Sequence, residues 1–277
     1  MRVIEQTFLC AVLLGVLADY NENPIIKLLQ EYIQINSTTD SDLSPAVVFW
    51  KKLAENASVP VSVFEFTTGY PVVVIKWEGT NCSLTSVMLN SHMDVDGWLY
   101  APFSAHIDDN GDIYGRGTQD MKSLSIQQFE VLRRLKSKKI SLLRDVYMTL
   151  MPGSIFTGFR VDCYGTAAHG SLLLPVDATA VGKVRVQRQS IYIRNITLKP
   201  MTTTGSTDSK YLRFFGIPCF GLSPITNTPS LAHKVNERLN KAVFLKGLDI
   251  YEKIVRNIAN IPGDQVSHNS SEYLKYY

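Results

Sequence analysis

The residues best suited to chemistry lie close together between Ser91 and Lys122. His92 and Asp94 stand two apart in Ser91-His-Met-Asp-Val95, and Asp120 ends a glycine-rich stretch, Gly115-Arg-Gly-Thr-Gln-Asp120-Met-Lys122. One imidazole and two carboxylates converging above a sheet can hold a zinc-type ion. A His-x-Asp triplet also arises by chance, so its surroundings decide. The apolar run from Ser86 to Asn90 suits a strand buried on both faces. If that strand continues, His92 and Asp94 share a face. Asp120 comes just before a helical pattern with Leu124, Phe129, Leu132 and Leu135 on one side. Backbone N–H groups at such a helix start favour a carboxylate. In open α/β sheets, functional groups gather where the strands end.

These strings are similar to those of the zinc-dependent M20 peptidases, and within them to aminoacylase-1-like N-acyl-amino-acid amidohydrolases. SHMDV, the segment from Phe103 to Lys122, and Ser206-Thr-Asp208-Ser-Lys210 carry the resemblance. So do Gly216 to Pro224, Leu231-Ala-His233 and Glu237-Arg-Leu, and the likeness runs from about Asn23 to Gly263. It implies two zinc ions (Zn2+) per chain sharing Asp120, with His92 a ligand of one and His233 of the other. Asp94 then supports the site from behind as a catalytic residue. His169 matches a lid histidine that reaches a partner's site in dimeric relatives, so a homodimer is implied. Asp208 and Lys210 fall in the loop that contacts the substrate's carboxylate end. Lys210 stands where relatives carry Arg, which removes fork-like carboxylate recognition. The implied reaction is hydrolysis of small N-acyl-L-amino acids to a carboxylate and a free amino acid.

The resemblance also marks a gap. Relatives carry a sequence like Pro-Asp-Glu-Glu-x-Gly-Gly, in which one glutamate is the general base and the other a metal ligand. This chain reads Pro152-Gly-Ser154-Ile-Phe-Thr-Gly158. General-base catalysis contributes about 10²–10⁴-fold, so its loss is expected to impair hydrolysis. The alternative is a non-catalytic relative, or a truncated isoform, that binds ligand or a sister subunit.

The elements around these residues predict an α/β fold. Val61 to Phe66, Val72 to Trp77 and Asp145 to Met151 read as strands, the last alternating Val146, Met148 and Leu150. Pro24 to Ile35 has helical spacing, and Ser44 before Pro45 reads as the N-cap of a helix through Asn56. From Gly247, Ile250, Ile254 and Ile258 repeat every fourth residue. Helices between short apolar strands imply a sheet with helices packed on it. By resemblance, residues 19–158 form the first part of a zinc-peptidase-like catalytic domain. Residues 159–196 are what remains of a lid or dimerisation α+β domain, 197–263 the second catalytic part, and 264–277 a polar tail.

Composition narrows the partners. The 277 residues are 45% hydrophobic with a net charge of +3, enough for a sizeable core but no electrostatic case for nucleic acid. The basic run Arg133 to Lys139 fits the solvated C-terminal end of a helix. Residues 1–18 read as a secretory signal peptide, with Arg2, an apolar run from Phe8 and a Val16-x-Ala18 cleavage site. A buried N-terminal helix is the other reading. The run is shorter than the ~20 residues of a membrane span. Five Asn-x-Ser/Thr triplets, at Asn36, Asn56, Asn81, Asn195 and Asn269, agree with secretion, whereas related aminoacylases are cytoplasmic. Beyond Cys10, the cysteines are Cys82, Cys163 and Cys219, and none has metal-site spacing.

Overall fold

The structure is a computed structural model that describes residues 23–38, 40–95, 101–153, 170–173 and 219–262. The N-terminal segment 1–18, His169, Asp208, Lys210, the tail from residue 264 and nearly all of 159–196 lie outside the described residues.

Helix α1 (Pro24–Gln34) starts where the Asn23 side chain accepts a hydrogen bond from Ile25 N at 2.9 Å. It buries Ile25, Ile26, Leu29, Tyr32 and Ile33 along one face. Helix α2 (Ser44–Asn56) departs from the predicted cap: Leu43 holds the cap position and Ser44 is already helical. The reason is one residue upstream, where Asp42 Oδ1 accepts from Ser44 N at 2.8 Å and satisfies an N–H that the helix leaves open.

The strands form two sheets. The larger runs β1 (Val61–Glu65), β2 (Pro71–Trp77), β6 (Val146–Met151), β3 (Val87–His92), β7 (Gly170–Leu173) and β8 (Cys219–Leu222). Among the described strands only β3 and β6 pair in parallel, and helix α3 (Lys122–Ser137) lies between them in sequence, as a parallel crossover requires. Val146, Met148 and Leu150 are all buried, as their alternation predicted. The smaller antiparallel sheet joins β4 (His106–Ile107), β5 (Asp112–Tyr114) and β9 (Arg238–Asn240). It ties residues 238–240 to residues 112–114, and so brings the chain around His233 back to the glycine-rich stretch.

Aromatic rings lock the helices to the sheet. Trp50 meets Tyr32 edge-on with ring centres 5.0 Å apart, and Phe129 lies 5.8 Å from Trp50 and 5.6 Å from Trp77. Burying each such side chain contributes about 1.5–3 kcal/mol. Helix α4 (Lys241–Ala259) begins earlier than its Ile250-Ile254-Ile258 repeat predicted, because Asn240 caps it by accepting from Ala242 N. The basic run sits on the exposed end of α3, where Lys136 Nζ donates to Ala57 O and Ser58 O. Among the described residues, no helix is long and apolar enough to cross a membrane.

Candidate active site

Strand β3 ends at His92, and the next turn carries Asp94 back against it. His92 Nδ1 lies 3.0 Å from Asp94 Oδ1, while Nε2 on the other side of the ring lies 3.2 Å from Asp120 Oδ1. An ionised carboxylate can only accept, so an imidazole held between two of them donates from both ring nitrogens. Burial by itself would lower the His92 pKa. Asp120 and Asp94 overcome it and hold the imidazolium well above its ordinary range. The turn after β3 is fixed from outside: Ser37 Oγ donates to Met93 O at 2.6 Å, and Val95 N donates to Ser37 O at 2.9 Å.

His233 reaches the same acid from the opposite side, with Nε2 2.6 Å from Asp120 Oδ2. Asp120 therefore presents one oxygen to each histidine. Burial would raise its carboxyl, but the His233 and His92 contacts outweigh it and hold Asp120 well below the usual carboxylate range. Of the residues predicted for the site, His92, Asp94, Asp120 and His233 come together. His106 lies exposed in β4.

Two neighbours of Asp120 explain its local backbone. Gly117 has φ +88°, and a Cβ there would meet Lys122 Cγ at 2.9 Å, so the turn requires glycine. Lys122, fully buried, donates from Nζ to Tyr32 O at 3.1 Å and Ile35 O at 2.7 Å. It thus adds a donor at the end of α1, where Tyr32 O also accepts from Ile35 N at 3.3 Å. Burial pushes its pKa down to about 7, against the attraction of Glu237.

Sequence reasoning quoted Gln119 and Glu237 in motif strings but gave them no role. Glu237 has no exposed surface, and its Oε1 accepts from Gln119 N at 2.6 Å and Asp120 N at 3.1 Å. Arg116 Nη1 lies 3.3 Å from its Oε2. Burial raises the Glu237 carboxyl, against these backbone N–H groups and Arg116. In return, Gln119 Nε2 donates to Pro229 O and Arg238 O, and its Oε1 accepts from Leu231 N. No local spacing signals this exchange, because the partners are more than 100 residues apart.

The donor chemistry suits zinc, but among the described residues the number of donors does not. Each oxygen of Asp120 faces one imidazole, which gives two described protein donors on either side, whereas a catalytic zinc keeps three. Among the described residues, no group of three or more His, Cys, Asp and Glu side chains is placed to hold a metal ion. At the end of β6, where an acid is missing, Gly153 lies directly against Asp94. A Cβ there would come 3.1 Å from Asp94 Oδ2.

Comparison with known proteins gives a family likeness. Residues 88–153 match the sequence pattern of Peptidase family M20/M25/M40. The chain is 26% identical to rat aminoacylase-1A over 395 aligned positions, covering 87% of this chain and 97% of that protein. Human aminoacylase-1 is 24% identical over 394 positions, with the same coverage. Because this chain has only 277 residues, more than a hundred of the aligned positions have no counterpart in it. Among solved structures, an M20 family metallo-carboxypeptidase from Sulfolobus solfataricus is 26% identical with a TM-score of 0.41, over 46% of this chain and 30% of that one. Likeness to this family implies a metal cofactor, generally zinc. His92, Asp94 and Asp120 thus lie inside the matched segment, and the chain is similar to the aminoacylase-1 proteins and to peptidase family M20.

Proposed function

We propose that this chain derives from zinc-dependent amidohydrolases that convert small N-acyl-L-amino acids to a carboxylate and a free amino acid, and that its own hydrolysis is impaired. One observation carries the reading: Asp120 is gripped by His92 on one oxygen and by His233 on the other. Such a shared carboxylate is what a two-metal hydrolase needs at its centre, where bound metal supplies an activated water. His92 and Asp120 would serve one ion, and His233 and Asp120 the other. Asp94 orients His92 through Nδ1.

The impairment follows from what the acids are already doing. Asp120 uses both oxygens on imidazoles, Asp94 is turned onto His92, and Glu237 is occupied by the backbone. None of these carboxylates is left to take a proton from water, and the position beyond Pro152 holds Gly153 and Ser154. The loss of a general base costs about 10²–10⁴-fold in rate.

The deciding experiment is elemental analysis of the dialysed full chain, paired with an assay of amino-acid release from N-acetyl-L-amino acids. Well under one zinc per chain with no release is expected. About two zinc ions per chain with turnover would overturn the impairment. Gly153-Ser154 in place of an acidic pair favours a second reading, a non-catalytic relative that still binds such ligands. Saturable calorimetric binding of an N-acetyl-L-amino acid without turnover would support it. Export is part of the same proposal, motivated by the N-terminal apolar run and the exposed Asn36, Asn56 and Asn81. Expression in secretory cells should give a product that shrinks on deglycosylation. Homodimerisation, motivated by His169, is checked by light scattering of that product.

A further inference from the structure

We propose that Gln119 and Glu237 form a two-way clasp that sets His233 against Asp120, which makes both of them positioning residues of the site. This role rests on the amidohydrolase reading, whereas the geometry of the clasp does not.

The contacts are reciprocal. The Glu237 side chain holds the backbone of the 119–120 segment, through N–H donors at 2.6 and 3.1 Å. The Gln119 side chain holds the backbone of the 229–238 segment, donating to Pro229 O at 3.1 Å and Arg238 O at 2.8 Å, and accepting from Leu231 N at 2.9 Å. Each segment carries one half of the chemical pair, Asp120 on the first and His233 on the second. Both clasp residues are buried, Gln119 at 5% exposure and Glu237 at 0%.

His233 lies in a loop between β8 and β9 with φ +60°, and about a third of its side chain is exposed. A carboxylate buried without its hydrogen bonds would be costly, and apolar side chains could join two loops at least as stably. What hydrogen bonds add is direction: five of them, from two side chains, fix the two segments in one register. His92, in contrast, is held by its strand and by Asp94 Oδ1 at 3.0 Å, and neither depends on the clasp.

That contrast supplies the test. The full chain is labelled with 15N-histidine and dialysed free of metal, and its ring nitrogens are followed by long-range proton–nitrogen spectra at neutral pH. His92→Ala and His233→Ala assign the two rings. In Gln119→Leu and in Glu237→Asp, the His233 ring signals should shift to those of a free, solvated imidazole, while those of His92 stay in place and Trp fluorescence is unchanged. The two substitutions remove opposite halves of the clasp, so either one suffices if the other fails to fold. An unmoved His233 signal in a folded variant would overturn the proposal, and so would equal shifts in both rings. If the wild-type chain hydrolyses no N-acyl amino acid, the functional reading fails while the histidine spectra still decide the clasp.

Discussion

His92 and His233 bring the same ring nitrogen to the same carboxylate from two very different kinds of backbone. His92 ends a strand paired on both sides, is 8% exposed, and has a second acid on its other nitrogen. His233 sits on a left-handed loop residue, is far more exposed, and depends on side chains from elsewhere to hold its loop. A sheet end fixes a ligand through hydrogen bonds shared with the whole ladder. A loop end is fixed only as well as its few tethers. One half of the Asp120 grip is therefore robust and the other conditional.

The largest expected effect comes from breaking the conditional half. Glu237→Leu leaves Arg116 buried beside an apolar side chain and two backbone N–H groups without their acceptor, for a loss of about 3–5 kcal/mol. Urea unfolding measures it, and a loss below 1 kcal/mol would mean that the loop is held by other contacts. Asp120→Asn acts on both halves at once. It replaces charge-assisted bonds to both histidines with neutral ones, and a stability loss of about 2 kcal/mol is expected. Thermal unfolding at neutral pH checks this, and an unchanged midpoint would show that the carboxylate charge contributes nothing to the fold.

Smaller effects sharpen the comparison on the sheet side. Gly153→Ala places a methyl group 3.1 Å from Asp94 Oδ2, with an expected cost of about 1 kcal/mol in chemical denaturation. For the same reason Gly153→Glu alone should not raise hydrolysis above that of the parent chain, and faster turnover by that variant would show that Asp94 yields easily. The gentlest probe lies at the other end of β6. Asp145 is held below the ordinary carboxylate range, chiefly by the Gly79 N–H and also by Lys76, with burial opposing. A carboxyl depressed in the folded state stabilises it at pH above its unfolded pKa of about 3.9, and that contribution fades as pH falls through the folded value. Asp145→Asn should thus flatten the acid limb of stability against pH and leave the His92 ring signals untouched. An unaltered acid limb would remove Asp145 from the account.

Much of this molecule was legible before any coordinates. The alternation of Val146, Met148 and Leu150 gave a strand, and the apolar run before His92 gave another, because side-chain period follows directly from backbone geometry. The cap of α2 was misplaced by one residue, since Ser44 and Asp42 are both good acceptors and only the folded turn shows which one is used. The start of α4 was set too late because Asn240, not the isoleucine repeat, begins the helix.

The sequence by itself determined which groups can do chemistry: His92, Asp94 and Asp120 within one short stretch, and no acidic pair after Pro152. Those facts are local, fixed by residue type and spacing. The resemblance already set His233 beside Asp120, but the tertiary structure alone decided which oxygen it takes, and that Gln119 and Glu237 exchange grips across more than 100 residues. Contacts of that kind depend on how β5 and β9 pair and on how a loop closes, and no spacing along the chain encodes either.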